Sequence, residues 1–481
     1  MHTLRPARRQ VFLLSLCLLS LLLAACGGAS TTSGTSGTSG NLSNFGNGQP
    51  GSPGQNTPNT QQTRATPMPQ TRTDCPSPAL TGRKPVMRSM MQGTDPAVVY
   101  IDDQGTSPDS TSFGELKLYN AAAGAHANSK VIFGTSVLVH LPGVLITEAQ
   151  VSNDGQWLLF VTRSLAMSQI QMVRVDGQGL QTLYCAPPGT VHDLQWSPDA
   201  SRFLFSQASV SGLLNLYLFD MATGTIQPEL VQSNSATLGY EVRTWFDNQR
   251  VYVVGVMNPA SSAPTRGLFA LDTSKGPNQQ PSNLVQIISP SQDSYCRSFD
   301  SDYNATVLIT SKCSQTFPTG SDDIGVLAAP SSLVAQGVTG GSQHTIFTSR
   351  TQAVTQVRML GYSSTNLLMT VNNLDPRNGP LSASSTPNGL WKVNTDGSGL
   401  TNLYALTNGS ECSLNQFTQY PWANLSRDNR LYALAVHDVL SKSQDISLLV
   451  GSLSGGSSRA VTFEQASANL GMLAIVGWIN V

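Results

Sequence analysis

Two stretches decide the fold. One is Val151-Ser-Asn-Asp154-Gly-Gln-Trp-Leu-Leu-Phe-Val-Thr162; the other is Trp196-Ser-Pro-Asp199-Ala-Ser-Arg-Phe-Leu-Phe-Ser-Gln207. Each is an apolar strand end, a Ser-x-Asp turn and a second apolar strand. Pro198 presets φ for the turn, and the Asp caps its own backbone. Weaker copies follow at Thr244–Val253, Phe299–Ile309 and Leu425–Leu434, and a degenerate one at Leu360–Met369. The turn position advances by 45, 48, 55, 62 and 64 residues. A second motif repeats as Val175-Asp-Gly-Gln-Gly-Leu-Gln-Thr-Leu-Tyr184 and Thr395-Asp-Gly-Ser-Gly-Leu-Thr-Asn-Leu-Tyr404, where Gly supplies positive φ. No long 3.6-residue pattern interrupts these runs, so the chain from residue 80 reads as all-β. Each unit is a four-stranded antiparallel blade, with strands such as Leu213–Asp220 in third place.

Trp-Ser-Pro-Asp before Phe-Leu-Phe, and Asp-Gly-Ser-Gly-Leu before Leu-Tyr, resemble the WD-type (WD40-like) repeats of TolB-like β-propellers. The resemblance covers residues 80–481 and implies the fold rather than an activity, because propellers host many functions. Gly471–Val481, with Trp478, matches the strand that ends in Trp196. The first unit, with strands near Val98–Asp102, Glu115–Asn120 and Lys130–Phe133, lacks that inner strand. A C-terminal strand completing the first blade gives seven blades and protects the sheet edges.

Upstream lies a different texture. Arg5, Arg8 and Arg9 precede a mostly Leu run, Val11–Leu23, that is short for a spanning helix and fits a signal-peptide core. Leu23-Ala-Ala-Cys26-Gly resembles the lipobox of bacterial lipoproteins. The resemblance implies a signal peptide at 1–25, cleavage before Cys26, and acylation (palmitate among the acyl groups) anchoring Cys26 in a membrane, with each buried CH₂ worth about 0.8 kcal/mol. Residues 27–73 are mostly Gly, Ser, Thr, Asn, Gln and Pro with one aromatic, Phe45, and two charges, Arg64 and Arg72. Such a segment buries too little apolar surface to offset ordering entropy. We therefore read 26–79 as lipidated Cys plus disordered linker, spanning roughly 35–40 Å r.m.s. as a coil.

The chain has 481 residues and only 11% charged residues, with a net charge of −1. Average soluble domains carry about 25%. The charges before residue 74 are Arg5, Arg8, Arg9, Arg64 and Arg72, so the low charge belongs to the folded part. A near-neutral chain gives no electrostatic case for nucleic-acid binding.

Seven Cys are present. With Cys17 in the signal and Cys26 the lipid site, five remain, in a compartment that permits disulfides. Cys296 and Cys313 flank the hairpin turn at 301–306 and are expected to pair. Among Cys75, Cys185 and Cys412 any one pairing is open.

Chemistry is sparse. The six His form no His-x-x-x-His or His-Glu-x-x-His pattern, and Cys-x-x-Cys, Gly-x-Ser-x-Gly and phosphate-loop motifs are absent. No catalytic, metal or cofactor site is therefore assigned. Asp102-Asp103 and Asp322-Asp323 read as solvated loop acids before a weak calcium site. Topology nominates one surface: residues just before each inner strand rim a funnel on the face opposite the Ser-x-Asp turns. These are His192, Asp193, Glu241, Arg243, Arg297 and Arg358, with Gln416 and Gln419 beside them. Long loops at 257–266, 314–323, 372–389 and 437–444 are expected on the same face.

The expectation is a lipid-anchored, extracytoplasmic propeller acting as a binding or scaffold module for a protein, peptide or glycan, without nucleic acid and more a binder than an enzyme. A propeller hydrolase or lyase acting on an extracellular polymer is the first alternative. An envelope assembly factor resembling TolB in role is the second.

Overall fold

The computed structural model describes residues 71–481 except 79–80, 125–133, 210–213, 232–237, 258–264, 277–283, 292–297, 303, 314–330, 350–351, 361–364, 373–386, 407–409, 415–423, 439–444, 457 and 465–471. Those residues form seven four-stranded antiparallel sheets, the blades of a propeller. Blade 2 is representative. Leu145–Val151 is innermost, followed outward by Trp157–Arg163, Ser168–Arg174 and Gln181–Ala186. Blades 3 to 7 repeat this order, starting from inner strands Val191–Trp196, Leu238–Trp245, Phe299–Ser301, Ala353–Met359 and Ser410–Ser413.

The apolar runs read from sequence are the second strands. Trp157–Val161 is buried throughout, because both faces of the strand pack against neighbouring blades. Of the outermost strands, Thr135–Pro142 in blade 1 mostly faces water, whereas Gln181–Ala186 in blade 2 is buried nearly throughout. The Ser-x-Asp turns close as their chemistry dictates. Ser197 Oγ donates to Asp199 (2.7 Å) and accepts Arg202 N (3.0 Å), while Ser201 N donates to Asp199 (3.0 Å). The next turn residue takes left-handed φ at Gly155, Ala200 and Asn429. In the second motif, Gly177 and Gly397 also have positive φ. A Cβ there would lie 2.7 Å from Leu138 O and 2.9 Å from Ile346 O, so each Asp-Gly turn presses on the outer strand of the preceding blade.

Closure occurs where expected. Leu473–Asn480 is the inner strand of blade 1 and pairs antiparallel with Pro96–Asp102, from Pro96 against Asn480 to Asp102 against Leu473. Trp478 is fully buried with Tyr100, Leu448 and Val450, which fastens blade 1 to blade 7. The third strand of blade 1 is Phe113–Asn120, and the outermost is Thr135–Pro142, not Lys130–Phe133, which lies outside the described residues. Blade 1 has no Ser-x-Asp turn, since its first two strands come from opposite ends of the propeller sequence. Arg427, in the turn of blade 7, bridges that gap by donating to Asn153 O (2.9 Å) and Ser152 O (3.4 Å) in the turn of blade 2.

Residues 71–95 form a strap over blades 2 and 3. Arg72 bridges in parallel to Gln181, and Cys75 is disulfide-bonded to Cys185, one of the pairings left open by the sequence. The end of the stretch read as linker, residues 71–78, is thus tied to blade 2. Gln181 accepts Val86 N (2.8 Å) and donates to Val86 O (2.9 Å). Gln156 does the same with Met90 (2.7 and 3.1 Å). Fully buried Arg174 holds Asp176 through two bonds (3.0 and 2.7 Å) and donates to Arg88 O (3.2 Å). Cys412 is a free, buried thiol, and burial pushes its pKa up. The expected Cys296–Cys313 bridge lies outside the described residues, since Cys296 and the Cys313 side chain are not among them.

Candidate functional site

The inner strands carry bulges, and these set the site. Pairing slips between Ile146 and Glu148 in blade 2, between His192 and Gln195 in blade 3, and between Val242 and Thr244 in blade 4. A bulge twists its strand and re-aims side chains. Side chains of one inner strand then clasp the backbone of the next. Glu148 accepts Asp193 N (3.0 Å) and Leu194 N (2.8 Å), and Gln150 accepts Trp196 N (2.9 Å). In blades 5 and 6, Ser298 Oγ accepts Val357 N (2.8 Å) and Asp300 accepts Met359 N (2.7 Å). Between blades 1 and 2, Asp103 accepts Ile146 N (2.6 Å) and Glu115 N (3.1 Å).

Asp193 has φ of 55°, a left-handed conformation uncommon outside Gly. That turn converges successive N–H groups on one anion, here the Glu148 carboxylate. The Asp193 carboxyl itself accepts Ser206 Oγ (2.6 Å). From blade 4, half-buried Arg243 pairs with Glu241, and its charge reaches Asp193 and Glu148. Three adjacent inner strands thus bring together three carboxyls and one guanidinium. Burial pushes the Glu148 carboxyl up, and the charge of Asp193 adds to it. Burial also pushes Asp193 up, with Arg243 opposing. Such a group gathers several hydrogen-bond acceptors beside one cation.

The sequence-nominated residues divide. His192, Asp193, Glu241 and Arg243 come together, but within the inner strands rather than ahead of them. The exposed His192 ring contacts Gly189 O (3.0 Å). Arg358 is 5% exposed, donates to Val357 O (2.6 Å) and acts on buried Asp300. Burial raises the Asp300 carboxyl to about 7 and lowers Arg358. Arg297, Gln416 and Gln419 lie outside the described residues, as do most of the long loops. Glu148 was missed, although it stands 45 residues before Asp193, the spacing of the two turns.

Asp103 is not a solvated loop acid. It is 1% exposed, and burial raises its carboxyl to about 8. Beside it, Lys117 bridges Asp102 (2.6 Å) and Glu115 (2.8 Å), and His140 reaches Glu115 (2.7 Å). Asp322-Asp323 lies outside the described residues. Among the described residues no group of three or more His, Cys, Asp or Glu is placed to hold a metal ion, and no helix is long and apolar enough to cross a membrane.

No protein-family model matches the sequence, and a search of curated proteins gives no match. Solved structures do resemble the chain. TolB from Acinetobacter baumannii is 11% identical, with 64% of this chain and 63% of that one covered and a TM-score of 0.37. The β-propeller domain of the Trilobed protease from Pyrococcus furiosus is 10% identical, with 77% and 97% covered and a TM-score of 0.49. Oligogalacturonate lyase from Vibrio parahaemolyticus is 13% identical, with 67% and 73% covered and a TM-score of 0.39.

Proposed function

We propose that the chain is an extracytoplasmic binding module, held to a membrane through acylated Cys26 and presenting its propeller to a protein, peptide or glycan ligand. The observation that carries this reading is the convergence of Glu148, Asp193, Glu241 and Arg243 from three adjacent inner strands. Perturbed carboxyls gathered beside a specific charge partner mark functional sites. The position of the strap supports the same reading. Arg72 pairs beside Leu180 and Thr182, next to an Asp-Gly turn. That end of the strap thus meets the propeller on the face of the turns, opposite the face where the inner strands begin. The group suits ligands that donate hydrogen bonds, such as sugar hydroxyls or peptide amines.

Thermal shift tests it, using neutral oligosaccharides, basic peptides and acidic peptides against the full chain and against a Glu241→Gln/Arg243→Gln variant. A ligand at a hundredfold its Kd stabilises by about 2.7 kcal/mol. One class is expected to raise the wild-type Tm and to leave the variant unmoved. An equal shift in both proteins sinks the assignment of the site.

A further inference from the structure

The strap meets the propeller in a fixed order along the chain. Arg72 comes first, with two backbone hydrogen bonds to blade 2: its N–H to Leu180 O (2.9 Å), and Thr182 N to its carbonyl (2.7 Å). Next is the covalent link from Cys75 to Cys185, in the outermost strand of blade 2. Met167 Sδ packs 3.4 Å from Cys75 Sγ, and Gln169 reaches both sulfurs at 3.7 Å. Only after the bridge come the two carboxamide clasps, Gln181 to Val86 and Gln156 to Met90. Last, through Asp95 and its paired bonds to Val481 (3.2 and 2.9 Å), the strap becomes Pro96–Asp102. That strand is gripped by the closing strand of blade 1 through hydrogen bonds and packing alone.

A strand pulled from its end releases its ladder one bond at a time. Pro96–Asp102 would be loaded in that way by any pull transmitted along the strap. The bridge sits upstream of every such bond. Tension arriving from residues before 75 crosses two sulfurs into Gln181–Ala186 and leaves residues 76–102 slack.

We propose that the Cys75–Cys185 bridge is the mechanical attachment of the N-terminal segment, delivering tension to blade 2 and isolating the strap and the closure of blade 1 from it. The proposal deepens the tethered reading above, but its test supplies the pull artificially and so stands or falls without the lipid anchor.

The full chain is held in optical tweezers by its N-terminus and by a peptide tag inserted at Gly276, where a Cβ would meet nothing within 4 Å. Oxidised wild type is expected to show no early lengthening before blades unfold. A Cys75→Ser/Cys185→Ser variant is expected to show a first step of up to about 70 Å at low force, the extended length of residues 76–95. Loss of blade 1 at a lower force than in wild type should follow. Thiol-reduced wild type, folded before reduction, gives the same readout if the variant does not fold. An early strap-sized step with the bridge intact overturns the proposal, and so does an identical trace with the bridge open.

Discussion

Gln181 and Gln156 hold the strap to blade 2 with carboxamides, whereas Asp103, Glu148 and Asp300 hold neighbouring blades together with carboxylates. A carboxamide has both a donor and an acceptor, so it meets the N–H and the carbonyl of one residue, as a neighbouring strand would, and buries no charge. A carboxylate only accepts. It appears where two N–H groups point the same way, as Asp193 N and Leu194 N do at the blade 3 bulge. The strap is therefore joined by contacts indifferent to pH, and three of the blade joints by contacts that titrate.

The largest effect should come from emptying a carboxylate joint. Glu148→Ala leaves two part-buried N–H groups without their acceptor and should cost up to about 2–6 kcal/mol, at 1–3 kcal/mol per group. A denaturant midpoint unchanged by the substitution would break the comparison. The second effect is the pH profile. Asp103 and Asp300 titrate in the folded chain near about 8 and about 7, well above their ordinary range. The folded state therefore binds more protons than the unfolded one between about pH 4 and 8, and stability is lost as pH rises through that window. Asp176, Asp199 and Asp272 are lowered, although burial opposes it; Arg174, Ser197 and Ser274 are the leading hydrogen-bond donors that lower them. Their contribution disappears only as pH falls below about 4. The Tm is thus expected to peak near about pH 5, and Asp103→Asn should flatten the decline toward pH 8. A Tm rising from pH 5 to 8 would reverse the sign. The smallest effect belongs to the strap: Gln181→Ala should cost about 1–2 kcal/mol, equally at pH 5 and 8.

The fold was legible because its signal is local and repeated. Ser197, Pro198 and Asp199 announce their turn without help from the rest of the chain, and Trp478 repeats Trp196 closely enough to place the closing strand. The site was legible only in part. A position near a turn does not say which way a side chain points once a bulge intervenes, and nothing in the sequence marks Arg358 as buried beside Asp300. Glu148 joins Asp193 across a blade boundary, and that contact leaves no mark other than their spacing. The strap was read as linker through residue 79 because Pro, Ser and Gly there carry no periodicity. Its order comes from partners such as Arg72 with Leu180 and Cys75 with Cys185, more than a hundred residues away along the chain.

The pairing of Pro96–Asp102 with Leu473–Asn480 also dictates the order in which the protein is completed. Contacts between distant parts of a chain form slowly, because loop closure must precede them. In a chain that emerges from its N-terminal end, blades 2 to 7 meet all their own strands in passing, and Cys75 meets Cys185 as soon as blade 2 exists. Pro96–Asp102 has no inner partner until the last strand arrives. Folding thus ends where the propeller begins, and during that interval the inner edge of the first blade stands open to any other strand that reaches it.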